Sequence, residues 1–251
     1  PEAVDLGLSV KWATFNLGAK APEDHGNYFA WAEIEPKDQY TWANYIWCQG
    51  TYNTLTKYCT NNDYGSIDNI TIIESEDDAA TMRWQGDWRI PTQAEWKELQ
   101  SKCTWQWISL NGVSGYKITS KVTGYTDESI FLPAAGYRSG KSYYNHGTHG
   151  YYRSSSLYTG DPNETWRLYY HATGISLSHA NDRNGGWSIR PVCGPLTQST
   201  ATVETIAATQ ITAQSALVGG KVSHDGGTHI TEFGIVFGTN TNPTTEDNKI
   251  T

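Results

Sequence analysis

The chain has 251 residues, a hydrophobic share of 37% and a formal charge of −8. That balance, without any basic stripe, excludes phosphate-backbone recognition, which needs clustered Lys and Arg. No segment approaches the roughly 18–20 apolar residues of a membrane span, so membrane insertion by this segment is not expected.

The 11 Trp and 16 Tyr supply core material where aliphatic residues are few. Gly, Asn, Thr and Ser interrupt the chain every few residues, which predicts a loop-rich fold with more strand than helix. The first predicted strand is Leu8–Ala13. Cys48 and Cys59 flank a Gly-containing segment; with Cys103 and Cys193 they allow three disulfide pairings, and free thiols fit equally well. Their spacing matches no zinc pattern.

Ser75 with Asp78 reads as a helix start, the helix running to about Arg83. The acidic run Glu74, Glu76, Asp77 and Asp78 admits a calcium site, but carboxylates in a first helical turn follow more simply from the helix dipole. Thr92 and Glu95 form a capping box after Pro91, predicting a helix from Gln93 to about Lys102 with Trp96 and Leu99 on one face. Tyr116–Ser120 and Ser129–Pro133 read as short strands.

Thr165–His171 alternates, with Trp166, Leu168 and Tyr170 opposed to Arg167, Tyr169 and His171. Ile175–His179 repeats the device, Ile175 and Leu177 opposing Ser176 and Ser178. The second set of each strand faces out of a half-buried sheet.

Composition changes near Pro195, after the last Trp. Ala201–Thr209, Ile211–Val222 and Ile230–Gly238 have strand length and pattern, and His224-Asp225-Gly226-Gly227 reads as a hairpin turn. Asn240 to Pro243 reads as another turn. About 54 residues follow this boundary, whereas an immunoglobulin- or fibronectin-type sandwich takes roughly 100 residues and seven strands. The expectation is therefore a truncated all-β domain of that type over 195–251, behind an α+β domain over 1–194.

The stretch Tyr137–Arg190 holds eight of the 16 Tyr and four of the seven His, with one Lys, one Glu and no Gln or Met. Tyr with Ser, Gly and Asn is the composition of a paratope: large amphipathic contacts at low entropic cost, with adaptable hydrogen bonding beside them. Loop formation alone would not strip out Lys and Glu. The predicted ligand-binding residues are Tyr144, His146, His149, Tyr151, Arg153, Tyr158, Arg167, Tyr169, His171, Ser176, Ser178, His179, Asp182 and Asn184. The ligand class is a protein or glycan on another cell or host surface. His146 and His149 have no Cys, Asp or Glu near in sequence to complete a metal site, so neither metal nor cofactor is expected. Asp161-Pro162-Asn163-Glu164 is similar to the acidic Pro motifs of calcium-dependent lectins, and a plain turn explains it as well.

Five blocks occur in order: Asp5-Leu-Gly-Leu-Ser-Val-Lys-Trp-Ala-Thr14, Tyr28-Phe-Ala-Trp31, Trp88-Arg-Ile-Pro-Thr92 with Glu95, Phe131-Leu-Pro-Ala-Ala-Gly-Tyr-Arg138 and Ser188-Ile-Arg-Pro-Val192. Together, from Ala3 to Val192, they resemble the Fibrobacter major paralogous domain family of gut bacterial surface proteins and lipoproteins. The resemblance implies a C-type lectin-like fold of the formylglycine-generating-enzyme branch, with two short helices and irregular antiparallel strands, displayed outside the cell or on a virion. The tail resembles the immunoglobulin-like modules that often accompany it.

Some members of that fold are variable proteins of diversity-generating retroelements. Adenine-directed rewriting of AAC codons cannot yield Lys, Gln, Glu, Met or Trp. Ser142–Arg190 avoids those residues except at Glu164, Trp166 and Trp187, and Trp166 is expected on the inward side of its strand. Formylglycine-type oxidation, as the resemblance implies it, needs a close pair of copper-binding cysteines near the C-terminal end. Only Cys193 stands there, so a binding protein is expected rather than an enzyme. A structural spacer in a surface fibre is the remaining alternative, and exposed aromatics argue against it.

Overall fold

Caps decide where the helices begin. In the computed structural model, which describes residues 1–180, 183–194, 202–224, 234–238 and 248–250, helix α2 is Gln93–Lys102. Thr92 Oγ1 accepts from Glu95 N–H at 3.3 Å, and Glu95 Oε2 accepts from Thr92 N–H at 2.7 Å. Two orphan amides are thereby satisfied, and Trp96 and Leu99 point into the core.

Helix α1 is Ala79–Trp84, so it starts later than the Ser75 signal predicts. Asp78 is the cap: its Oδ1 accepts from Ala80 and Thr81 N–H at 2.8 and 3.1 Å, and its Oδ2 from Ile90 N–H at 2.8 Å. Ser75–Asp77 forms a single 3₁₀ turn. The acidic run is occupied from within. Asp77 accepts from Lys57 Nζ and the Tyr58 hydroxyl, Glu74 also pairs with Lys57, and burial pushes the Asp78 carboxyl up to about 6. These contacts favour the helix-start reading over calcium.

The strands, in chain order, are β1 (Ala3–Val4), β2 (Lys11–Ala13), β3 (Trp88–Arg89), β4 (Cys103–Leu110), β5 (Val113–Ser120), β6 (Ser129–Pro133), β7 (Tyr137–Ser139), β8 (Ser142–Tyr144), β9 (His149–Leu157), β10 (Thr165–His171), β11 (Gly174–Ala180) and β12 (Val192–Cys193). They form sheets β1-β2-β12-β3, β4-β5-β6, β7-β8 and β11-β10-β9, each pairing antiparallel. With helix confined to α1, α2 and short 3₁₀ turns among the described residues, the architecture is mixed α+β and mostly antiparallel sheet. The predicted Leu8–Ala13 strand shrinks to Lys11–Ala13, since Gly7 at φ +68° and the bend after it break the extension.

One core cluster joins Trp12, Trp96, Leu99, Ile118, Leu132, Tyr152, Leu168, Tyr170 and Val192; a second gathers Phe29, Trp31, Tyr58, Ile90 and Ile189. The irregular segments between them are stitched by fully buried arginines. Arg190 donates to Asn16 Oδ1 and to the carbonyls of Ala13, Thr14 and Phe131; Arg183 donates to the Tyr45 hydroxyl and to the carbonyls of Lys57, Tyr58 and Pro162. Each cation ties together carbonyls from segments far apart in the chain. The four cysteines are free thiols, so of the two alternatives left open by the sequence, disulfide pairing or free thiols, the structure has the second.

Contact clustering divides the chain into Pro1–Pro195 and Leu196–Thr251. In the second unit β13 (Thr202–Thr209) pairs with β14 (Leu217–His224), and β15 (Ile235–Phe237) with β16 (Asn248–Ile250). The predicted Ile211–Val222 strand begins only at Leu217, because Thr212–Ser215 closes a turn through hydroxyl hydrogen bonds. Asp225-Gly226-Gly227, 230–233 and Asn240 to Pro243 lie outside the described residues.

Candidate ligand-binding face

Residues directly opposite on antiparallel strands share a face. The β9–β10 register sets His149 opposite His171, Tyr151 opposite Tyr169 and Arg153 opposite Arg167. The β10–β11 register sets Tyr169 opposite Ser176 and Arg167 opposite Ser178. One face of the sheet therefore gathers His149, Tyr151, Arg153, Arg167, Tyr169, His171, Ser176 and Ser178. The other face carries Tyr152, Leu168 and Tyr170 into the core, with Ile175 and Leu177 packed against it. Gly150 stands opposite Tyr170, and a Cβ there would collide with the buried phenol ring. The lack of a side chain is what lets that ring lie flat under β9.

The outward rings form one connected array. Tyr151 lies 5.1 Å from Tyr169 and 4.8 Å from Tyr137, and Tyr137 stacks on Tyr144 at 5.1 Å. His149 lies 5.8 Å from Tyr169 and 5.5 Å from His171. The Arg167 guanidinium sits 5.4, 5.6 and 5.1 Å from the rings of Tyr151, Tyr169 and Trp187, and its Nε is 3.5 Å from Ser178 Oγ. Asn145 Nδ2 donates to the Tyr151 hydroxyl at 2.7 Å. Cation–π and ring–ring contacts of this kind lock side chains before a ligand arrives.

The two imidazoles offer opposite hydrogen-bonding roles. Thr148 Oγ1 donates its one proton to Asn145 C=O at 2.9 Å and lies 2.8 Å from His149 Nδ1. His149 Nδ1 must then donate, leaving Nε2 as an acceptor. His171 Nδ1 accepts from Thr173 N–H at 3.4 Å, which leaves its Nε2–H as a donor. Burial, and then the neighbouring His171, lower the pKa of His149; burial raises that of Tyr151. A donor beside an acceptor suits a ligand's amides or hydroxyls.

The predicted residues do not all meet here. Arg153 shares the face by register but is fully buried: its guanidinium lies 3.9 Å from the Trp187 ring and donates to Thr165 Oγ1 and the carbonyls of Phe29 and Gly185. The returning segment Arg183–Trp187 covers that end of the sheet, so Arg153 is scaffold, not contact. Tyr151 is only 8% exposed and forms the floor of the array.

His179 stands opposite Trp166 and hence on the other face. There it stacks on Tyr158 at 3.7 Å, with Trp166 at 5.4 Å and Glu164 bonded to Nδ1. Tyr158 and His179 thus belong to a separate rim cluster. Trp166 does face inward, but a register shift beside it leaves it at that half-exposed rim and outside the core clusters. His146 packs edge-on against His25 at 4.2 Å and near Tyr143. Asn184 is half-buried beside the buried Arg183. Asp182 lies outside the described residues.

Asp161-Pro162-Asn163-Glu164 is a turn. Asn163 and Glu164 N–H donate to Asp161 Oδ1 and C=O, while the Pro162 carbonyl is taken by Arg183. Sequence reasoning missed Tyr137, Asn145 and Trp187. The first two lay within the singled-out composition but off any strand pattern, and Trp187 gave no signal for its place beneath Arg167.

Among the described residues, no three His, Cys, Asp or Glu side chains converge as a metal-ligand set, and no helix is long and apolar enough to cross a membrane. No protein-family model, curated protein or solved structure matches the chain.

Proposed function

We propose that this protein is a surface-displayed or virion binding protein that recognises a protein or glycan through the outward face of the β9–β10–β11 sheet. One observation carries the reading: strand register gathers His149, Tyr169, His171, Arg167, Ser176 and Ser178 on one accessible face over a Tyr151–Trp187 floor. Tyr137, Tyr144 and Asn145 extend it. A pre-locked aromatic array rimmed by small polar side chains is the composition of a protein-recognition surface. The C-type lectin-like fold is part of the same proposal, supported by β12 returning between β2 and β3 so that both ends of the unit meet in one sheet. So is the immunoglobulin-like character of the second unit, supported by its paired antiparallel strands.

Diversification by a retroelement accounts for the residue types of Ser142–Arg190. The face is built so that such change is tolerable: its outward side chains leave the opposite face of the same strands untouched. Two experiments test the reading. Labelled full-length chain is scored for binding to intact cells of a gut bacterial community; Tyr169→Ala with His171→Ala is expected to reduce binding by about tenfold or more, and undiminished binding sinks the face. Population sequencing of the gene is expected to show variation concentrated in the outward codons; uniform variation removes the retroelement.

A further inference from the structure

The turn between β8 and β9 orients two side chains of the binding face and is itself held through a histidine pair. Asn145 stands in the left-handed region at φ +53°, and its carbonyl accepts from the Thr148 and His149 amides at 3.1 and 3.0 Å. Its side-chain amide holds the Tyr151 hydroxyl, and Thr148 Oγ1 fixes Nδ1 of His149. Asn145, His146 and Thr148 are exposed. Two contacts tie the turn to distant chain. Gly147 N–H donates to the Ala134 carbonyl at 2.8 Å, and the ring of His146 meets that of His25 edge to face at 4.2 Å.

His25 is the more buried partner, and its loop is fixed to the core. Asn16 Nδ2 donates to the His25 carbonyl and to the Tyr152 hydroxyl, while Asn16 Oδ1 accepts from the buried Arg190. His25 Nε2 is buried and meets no hydrogen-bond partner among the described residues. An imidazolium there would bury a charged N–H without an acceptor, which costs more than burying the neutral ring. From its own loop Asp24 favours the charged ring, but that carboxylate is already held by the Lys20 and Ala21 amides. Glu23 beside it accepts from Asn111 Nδ2. From β8, Tyr143 lies 6.2 Å from His146, and the Arg138 guanidinium lies 4.8 Å from that Tyr143 ring. Burial and the facing His146 outweigh Asp24, and the pKa of His25 lies below its ordinary value.

Opening the contact to water relieves this cost. The opened state therefore gains as pH falls below the ordinary value of about 6.5, and gains fully once pH passes the lower closed value. The exposed turn, and not the loop anchored through Asn16, is the element that gives way.

We propose that protonation of His25 releases the 145–148 turn and so unlocks the binding face, weakening its hold on a ligand in mild acid. This rests on the face being a binding surface and adds how that surface is regulated. Release parts Asn145 from the Tyr151 hydroxyl and Thr148 from His149, so both side chains must be ordered again when a ligand binds.

Hydrogen exchange on the full chain, with labelling times scaled for the intrinsic effect of pH, reads the latch without any ligand. Between about pH 7.5 and about pH 5.5 the amides of Gly147, Thr148 and His149 are expected to lose protection by about threefold or more, while those of β10 keep theirs. His25→Phe and His25→Gln remove the proton site with and without a ring in its place, and both should abolish the loss. His149→Gln should retain it, and His146→Phe should leave a smaller one, because the burial of His25 remains. Melting temperatures at about pH 7.5 check that the variants fold. Unchanged protection in the native chain, a loss that persists in both His25 variants, or a loss in 17–27 instead of the turn overturns the proposal. Labelled chain on intact cells of a gut bacterial community reads the consequence. Over the same interval the native chain should lose about threefold more binding than His25→Phe, since titration of His149 and His171 is common to both. Equal losses overturn the link from latch to face. The face reading fails separately, if Tyr169→Ala with His171→Ala leaves cell binding unchanged at about pH 7.5.

Discussion

The two faces of the β9–β10–β11 sheet are made from the same residue types and do opposite work. Tyr152 and Tyr170 point one way and are fully buried, their hydroxyls donating to the carbonyls of Leu132 and Pro133. Tyr151 and Tyr169, one residue along each strand, point the other way and belong to the outward array. Arginine divides similarly, but by cover: Arg153 and Arg167 are cross-strand neighbours on one face, and only Arg153 lies sealed beneath Trp187. Composition cannot separate these roles. Strand parity decides the first, and the returning segment Arg183–Trp187 decides the second.

The sharpest way to break this comparison is to truncate the scaffold. Arg190→Ala leaves Asn16 Oδ1 and three main-chain carbonyls without their donor. The expected loss is on the order of 4 kcal/mol, read from urea unfolding. A loss near zero would show that water or neighbouring groups replace the guanidinium and that buried arginine does not organise the fold. Tyr170→Ala is next, at about 3–4 kcal/mol for a cavity beneath Gly150. Its neighbour Tyr169→Ala is expected to cost only about 1 kcal/mol. Equal losses for the adjacent pair would erase the distinction between inner and outer face.

How much of this was legible beforehand depends on which local signal each segment carries. Thr165–His171 alternates cleanly, and its inner and outer sets emerge as predicted from sequence. Helix α2 announces itself because Thr92 and Glu95 form both bonds of a capping box within four residues. Strand β9 gives no such signal. His149–Leu157 reads HGYYRSSSL and has no apolar alternation, yet most of it is buried. Several of its polar groups are satisfied by distant segments: the Ser155 amide by the Pro91 carbonyl, and Arg153 by carbonyls more than 100 residues away in one case. That strand was hidden because its partners are non-local, and Arg153 was misread as a contact for the same reason. His179 was misassigned differently. An exposed His in a paratope-like stretch looks outward, but two steps beyond Leu177 it must share Leu177's face.

The smallest expected effect concerns protonation. Burial and His171 hold the pKa of His149 below its ordinary value, so the folded chain takes up that proton less readily than the unfolded one. The associated stability is complete above the ordinary value of about 6.5 and is lost as pH falls through the lower folded value. Because the ring is only partly buried, the consequence should be no more than about 2 °C in melting temperature between roughly pH 7.5 and pH 5.5. His149→Gln should flatten that part of the profile. His171→Gln should flatten it partly, since it removes the opposing charge and leaves the desolvation. His25 has the same sign from its own burial and from His146, so His25→Gln on top of His149→Gln should reduce the slope further, leaving the contribution of Asp78, whose raised pKa of about 6 gives the opposite sign in the same window. If His149→Gln alone abolished the slope, the His25–His146 pair would carry no stability of its own. If neither variant changed it, the imidazoles of the outward face would be as free as those in an unfolded chain, contrary to the locked array that the ring contacts describe.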